Sequence, residues 1–271
     1  MSHDNILLGT SGWSYKEWEG PFYLKGEPRK LRAYSRVFPT VEIDSTFYRY
    51  PSKATVMGWL RYSPSNFVFT AKLPKIITHD KKLGLKADVT ADLESFLTVM
   101  EPLQTNGKLG CLLIQLPPSY TYNPDNLKVF LEALSPQFKY AVEFRHLSWL
   151  RDETWELLKQ YNVAYTNVDE PLLPPAVQIT ADFSYFRWHG RGEKPWFDYL
   201  YSKEELEPWI PKVIDTSKKV KQVYGYFNNH FHGYAPENCL SLLERVLSLS
   251  PQQMEAKKRL SRKQVGLSSF F

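Results

Sequence analysis

Eight apolar or β-branched runs recur along this chain, at 6–13, 40–49, 67–74, 109–117, 139–146, 163–170, 183–191 and 222–230. Most are followed by a segment of helical periodicity. Such segments lie at 52–62, 90–104, 203–219 and 236–247. Asn123-Pro124 supplies a cap and a first-turn proline for another helix, and Asp152 is expected to cap one more. Strands that alternate with helices pair in parallel, because a parallel crossover needs a helix-length connection. Eight such units in 271 residues predict an α/β fold, a single closed (β/α)8 barrel. Between the sixth and seventh runs Pro171, Pro174 and Pro175 leave no room for a full helix, so a short irregular crossover is expected there. An open doubly wound sheet is the alternative. No glycine-rich phosphate loop follows any strand to support it, Thr10-Ser11-Gly12 being too short.

Composition agrees with one large core. Apolar residues make up 43% of the chain and aromatics 15%, so many aromatic rings must line something besides a core. No apolar run is long enough for a transmembrane helix, and residues 1–9 lack the basic and apolar regions of a signal peptide. Cys111 and Cys239 are far apart, without metal-ligand spacing, and read as inert thiols. A reducing, cytoplasmic location is expected.

The carboxyl ends of barrel strands carry the chemistry of such folds, and here those ends are polar. They hold Glu42, Asp44 and Thr46; Lys72; Gln115; Glu143, Arg145 and His146; Asn167 and Asp169; Arg187, His189 and Arg191; Asn228, Asn229 and His230. Glu42 with Asp44, Glu143 with Arg145, and Arg187 with His189 stand two apart, so each pair shares a strand face. Ions rarely lie inside a strand layer without partners, so a buried polar network is expected at one end.

These motifs resemble a known family. Gly9-Thr10-Ser11-Gly12-Trp13 with Tyr15 and Trp18, and Val41-Glu42-Ile43-Asp44-Ser45-Thr46-Phe47-Tyr48, open the likeness. Lys72 with Ile77-Thr78-His79, Gln115-Leu116-Pro117, Glu143-Phe144-Arg145 with Trp149, Arg187-Trp188-His189-Gly190-Arg191, and Phe227-Asn228-Asn229 continue it. The chain is thereby similar to the YecE-like family, domain of unknown function 72, whose members are TIM-type barrels. Asp44 stands where that pattern has asparagine. The resemblance implies the fold and no established reaction.

The residues themselves leave several chemistries open. Glu42 and Glu143, from different strands, can serve as acid and base, or as acid and nucleophile. Equally, each can be held in an ion pair, Glu143 with Arg187 and Glu42 with Lys72. His189, near arginines, is expected to be neutral and suited to a general base. Lys72, Arg145, Arg187 and Arg191 together can bind an anion. Trp13, Gln115, Asp169, Asn228 and Asn229 complete the expected substrate contacts, with rim aromatics available to stack on a base or sugar. His230-Phe231-His232 is the one H-x-H. No cysteine cluster or second motif accompanies it, so a divalent metal is a secondary expectation, no residue is assigned as a ligand, and the cofactor is left unspecified.

The last residues, 264–271, spell Q-x-x-L-x-x-F-F. From Glu255 onward there are five basic residues and one acid, a charge of +4 within a chain total of +5. The reading is therefore a barrel over 1–250 and a basic C-terminal tail over 251–271. The box resembles the docking peptide by which archaeal and eukaryotic DNA-metabolism proteins bind the sliding clamp, proliferating cell nuclear antigen (PCNA). By that resemblance Gln264, Leu267, Phe270 and Phe271 are the partner-binding positions, with Leu267 and Phe270 on one face of a 3₁₀ turn. Barrel and tail together lead to the expectation of a clamp-recruited nuclease or other hydrolase acting on nucleic acid. A carbohydrate or sugar-phosphate enzyme, and a non-enzymatic clamp-associated adaptor, are the alternatives.

Overall fold

The structure, a computed structural model, describes residues 4–84, 88–193 and 195–268, with side chains to Ser261. Each of the eight runs contains one strand: β1 Ile6–Thr10, β2 Thr40–Ile43, β3 Val68–Lys72, β4 Leu109–Gln115, β5 Tyr140–Glu143, β6 Ala164–Asp169, β7 Phe183–Trp188 and β8 Gln222–Phe227. All pair in parallel, in the order β1-β8-β7-β6-β5-β4-β3-β2. A bridge between Ser11 and Glu42 brings the two outer strands together, and the Gly12 amide donates to Glu42 O at 2.8 Å. Gly9 permits that closure, since a Cβ there would lie 2.1 Å from Thr40 O. The fold is a TIM-type barrel.

Most strands stop short of the apolar runs that announced them. The chain turns off at Asp44 into a 3₁₀ turn, Ser45–Phe47, and beyond β5 into another, Leu147–Trp149. The polar strand ends thus sit on the first residues of the loops, where the barrel opens.

The helices are α1 Lys30–Tyr34, α2 Lys53–Tyr62, α3 Val89–Thr105, α4 Pro124–Glu132, α5 Asp152–Gln160, α6 Lys203–Leu206, α7 Trp209–Ser217, α8 Tyr234–Val246 and α9 Pro251–Ser268. Asn123 caps α4 as expected, its side chain accepting from the Asn126 amide at 3.1 Å. Asp152 is the first residue of α5, with Arg151 at the cap position. There its carboxylate faces the positive end of the helix dipole without capping it. The segment at 203–219 is two helices, interrupted at Pro208. No helix lies between β6 and β7, in keeping with its prolines.

The residues from Pro251 to Leu260 lie against the barrel. Ala256 and Leu260 are buried in the main core. Gln253 Nε2 donates to Val37 O at 2.9 Å, and Arg259 Nη1 to Phe22 O at 2.8 Å. Gln264 and Leu267 continue on α9, without described side chains. Phe270 and Phe271 lie outside the described residues.

Strand pleating sorts the side chains into two sets. One set packs between strands and helices and forms the large core. The other fills the barrel with Cys111, Leu113, Ala141, Ala164, Phe183, Tyr185, Tyr224 and Tyr226. Both cysteines are buried free thiols. No helix among the described residues is long and apolar enough to cross a membrane.

Candidate active site

Above the tyrosine layer the barrel interior becomes ionic. Tyr185 Oη donates to Glu42 Oε2 at 2.7 Å and also meets Thr70 Oγ1 at 2.8 Å. Glu42 Oε1 accepts from Ser11 Oγ at 2.6 Å and from Arg187 Nη2 at 2.7 Å. Arg187 Nη1 donates to Glu143 Oε2 at 2.7 Å. One fully buried guanidinium therefore ties β2 to β5. Glu42 and Glu143 face each other through Arg187, with no open gap between them. The expected Glu143–Arg187 pair is present. The Glu42–Lys72 pair is not. Lys72 Nζ reaches Asp44 Oδ1 at 2.9 Å instead, because Asp44 stands one pleat nearer the opening.

Arg145 is the hub of the next layer. Its Nε donates to Glu143 Oε1 at 2.6 Å, its Nη1 lies 2.6 Å from Glu170 Oε2, and its Nη2 lies 3.1 Å from His189 Nε2. Asn228 Nδ2 stands 3.0 Å from His189 Nδ1. Arg187 Nη1 and Glu143 Oε1 each lie 3.3 Å from His189 Nε2 as well, so this ring nitrogen is shared by two guanidiniums and a carboxylate. Gln115 Oε1 accepts a long bond from Arg187 Nη1 at 3.4 Å.

Burial and charge then decide protonation. Burial alone would raise the Glu143 carboxyl, but Arg145 and Arg187 outweigh it and hold it well below the ordinary carboxylate range. Asp44 follows the same pattern, burial opposed and overcome by Lys72. Burial and the Arg145 guanidinium push His189 down to about 3, so it is neutral, as expected. Glu170 behaves differently. Burial pushes its carboxyl up to about 7, and Glu143 adds to this while Arg145 opposes. Lys72, Arg145 and Arg187 already match Asp44, Glu42 and Glu143. Glu170 is a fourth carboxyl, and it shares its one cation, Arg145, with Glu143.

The other expected contacts lie apart from this cluster. Asp169 holds Arg191 through two bonds, Oδ1–Nε at 2.8 Å and Oδ2–Nη2 at 2.7 Å, and accepts from Trp209 Nε1 at 2.7 Å. That clamp faces the helix layer and holds the loop after β7. Asn229 donates to Tyr199 O at 2.7 Å and to Asn238 Oδ1 at 2.8 Å, anchoring the same loop. Trp13 packs edge-on against Trp59 and Phe69, outside the strands. His230 stacks on Tyr15, while His232 lies 3.6 Å from Asp198, so the H-x-H does not converge. Among the described residues no three His, Cys, Asp or Glu side chains gather as a metal site.

Sequence reading missed Glu170, and the pleat explains why. Val168 pairs in register with Arg187. Residues 168 and 170 therefore face inward with Arg187, and 167 and 169 face outward. Asp169, expected among the substrate contacts, therefore lies on the opposite face of β6 from Arg187. The Val168–Arg187 register is the signal that points to Glu170 instead. Ser11 and Tyr185 were missed as well, their hydroxyls having no motif of their own.

The open part of the site is small and mixed in charge. The Asp44 side chain is 27% exposed and that of Arg145 11%, with Glu42, Glu143 and Arg187 sealed beneath them. The Lys72 ammonium lies 4.6 Å over the Phe47 ring, against which His79 packs edge-on.

A closed parallel barrel with a guanidinium–carboxyl cluster at the carboxyl strand ends defines a TIM-barrel protein of the kind that builds active sites at that face. The chain belongs to the DUF72 family, "Protein of unknown function DUF72", whose model matches residues 7–264. It is similar to the UPF0759 protein YunF of Bacillus subtilis, 26% identical across 92% of this chain and 99% of that protein. The UPF0759 protein YecE of Escherichia coli is 32% identical across 52% of this chain and 48% of its own length. Among solved structures, a DUF72 family protein of Thermotoga maritima is 36% identical, with a TM-score of 0.79 over 88% of this chain and 98% of that one. An Enterococcus faecalis family member, 24% identical with a TM-score of 0.80, shows the same fold over 90% of this chain and 97% of its own.

Proposed function

We propose that the protein is a hydrolase that binds an anionic, nucleic-acid-related substrate at the barrel mouth and uses Glu170 as its proton-exchanging group. The observation that carries this reading is the Glu170 carboxyl itself. It is buried, its oxygens accept no hydrogen bond, and it titrates near neutral pH beside Arg145. A group poised near the working pH is the most efficient general acid or base. Lys72 and Arg145 supply cations for a phosphate or a developing oxyanion. His189, neutral and in contact with Arg145, orients that guanidinium. Glu42 and Glu143 keep Arg187 and Arg145 in place, a positioning role consistent with their complete engagement.

The test is incubation with labelled single-stranded, duplex and damaged DNA, with and without divalent metals. Cleavage that Glu170→Gln abolishes supports the reading. No cleavage under any condition, or cleavage untouched by that change, overturns it. If instead a sugar phosphate saturates the mouth while DNA is left intact, the carbohydrate alternative replaces it.

A second reading concerns recruitment. The 264–271 box is what favours PCNA as a partner, and it rests on sequence spacing alone. The relatives named above are bacterial. A peptide of residues 264–271 should bind the clamp, and Phe270→Ala with Phe271→Ala should remove most of that affinity. Equal binding by the doubly substituted peptide refutes the box.

A further inference from the structure

The outer flank between α1 and α2 holds a hollow of about 800 Å³, with Trp13 and Trp59 at its back and Arg29, Arg32 and Arg61 on its walls. It is not isolated. A hollow of about 360 Å³ shares Thr55 and Trp59 with it and extends to Ser45 and Arg49, just beyond β2. Another of about 480 Å³ shares Arg32, Arg61 and Tyr62 and extends to Arg36 and Pro64. Together they form one trough along α2, from the barrel opening down the flank.

The trough is strongly basic. Residues 28–62 contain seven Lys or Arg and two acids. Both acids, Glu42 and Asp44, point into the barrel and are held there by Arg187 and Lys72. Arg29, Arg32, Arg36, Arg49 and Arg61 are all exposed. Among the described residues, the arginines in ion pairs are Arg145, Arg187, Arg191, Arg245 and Arg259, none of them in the trough. Of the nearby carboxylates, Glu19 is paired with Lys30, and Glu27 accepts from the Arg29 amide. The positive field is therefore not confined to the last residues. Five guanidiniums share this trough with one lining carboxylate, Glu27, and none of the five is ion-paired among the described residues, so they repel one another, a cost with no return inside the molecule.

Gly58 is the independent sign. It lies in the interior of α2, where glycine is the poorest helix former after proline. Its backbone does not adopt positive φ, and a Cβ there would meet nothing within 4 Å. Neither conformation nor packing asks for glycine. What its missing side chain does is deepen the trough, on the same helix face as Thr55 and Arg61.

We infer that the α1–α2 trough binds single-stranded nucleic acid, its arginines on successive phosphates and a base laid over Gly58. Planar guanidinium forks match phosphate oxygens, and exposed rings such as Tyr62, with Arg61 5.9 Å from its centre, give a base a face to stack on. A single strand suits this trough better than a duplex, because its bases are free to enter. The inference does not rest on the reaction at the mouth, and its test involves no turnover.

The test is fluorescence anisotropy of labelled oligo-dT and oligo-rU, each about 12 nucleotides long, with the full chain. Binding should saturate at about 50 mM salt and weaken at least tenfold by about 200 mM. Arg32→Glu with Arg61→Glu, both at exposed positions, should reduce affinity at least tenfold, and Gly58→Gln several-fold. Arg245→Glu, on α8, should change it less than twofold. Circular dichroism and Tm establish that each variant is folded. Affinity of the folded double reversal within twofold of the parent overturns the inference. So does equal competition by inorganic polyphosphate of the same charge, which would mean that charge alone is recognised. Preference for dT or rU identifies which nucleic acid is bound.

Discussion

Arg145 Nη1 stands 2.6 Å from Glu170 Oε2, yet neither oxygen of that carboxyl accepts a hydrogen bond. The guanidinium is already directed at Glu143 through Nε and at His189 through Nη2. It gives Glu170 proximity without alignment. Burial therefore wins over attraction, and Glu170 keeps its proton into the neutral range. A neutral carboxylic acid in a charge-balanced cluster is the chemically uncommitted group of this site.

Glu170→Gln should lose the proposed activity while gaining stability at alkaline pH. The folded protein holds this proton up to about pH 7, against 4.5 for an ordinary glutamate. Between those values the native state binds more protons than the unfolded chain, so the Glu170 contribution falls as pH rises. The full effect is on the order of 3 kcal/mol at 1.36 kcal/mol per pKa unit. Thermal melts of both proteins at several pH values check it. A Tm difference that stays constant from acid to alkaline pH counts against the assignment.

His189 acts with the opposite sign. Its folded pKa of about 3 lies below the ordinary 6.5, so the native state binds fewer protons and stability is lost as pH falls below about 6.5. His189→Gln should flatten that acid limb by roughly 1–3 kcal/mol near pH 4.5. In the parent the His189 and Glu170 effects oppose each other between about pH 4.5 and 6.5, and the single substitutions unmask them. Ring ¹⁵N shifts that stay those of neutral imidazole at pH 5 would establish the His189 part directly.

Removing Arg187 should be severe. Arg187→Met leaves Glu42 and Glu143 buried with no guanidinium between them, and loss of one partner from a buried ion pair costs about 3–5 kcal/mol. Adding Glu42→Gln and Glu143→Gln should recover part of the loss, because uncharged amides need no counter-ion. Chemical denaturation of the single and triple variants measures the recovery.

Leu260→Ala should destabilise the barrel by about 2–3 kcal/mol, in the range of large-to-small core changes. Leu260 is 3% exposed, on a helix that the sequence reads as a basic tail. Unchanged Tm in this variant would mean that α9 is not part of the folded unit.

The architecture was legible because it rests on local pattern. Eight apolar runs with helical segments between them leave few closed arrangements, and prolines 171, 174 and 175 announced the missing crossover helix. The polar strand ends were legible too, since Glu42, Lys72, Glu143, Arg145, Arg187 and His189 stand out against apolar neighbours. Partner choice was not. Glu42 with Lys72 and Glu42 with Arg187 are equally reasonable on paper. The rise between successive pleats separates them, and only the assembled barrel places Asp44 in front of Lys72. Asp169 and Glu170 show the same limit at one-residue resolution. Both are acids at the end of β6, and the inward phase, set by pairing with β7, sends one to a loop clamp and the other into the site.

The α1–α2 flank and the last helix divide in the same way. Strand count, parallel pairing and the end of the barrel at which charge collects were already legible in the chain, because each follows from periodicity and from the cost of burying unpaired ions. Which carboxyl keeps its proton, which arginines go without carboxylates, and whether 251–260 is tail or core were decided by tertiary structure. These are properties of distance and desolvation between residues far apart in the chain, and no local pattern encodes them.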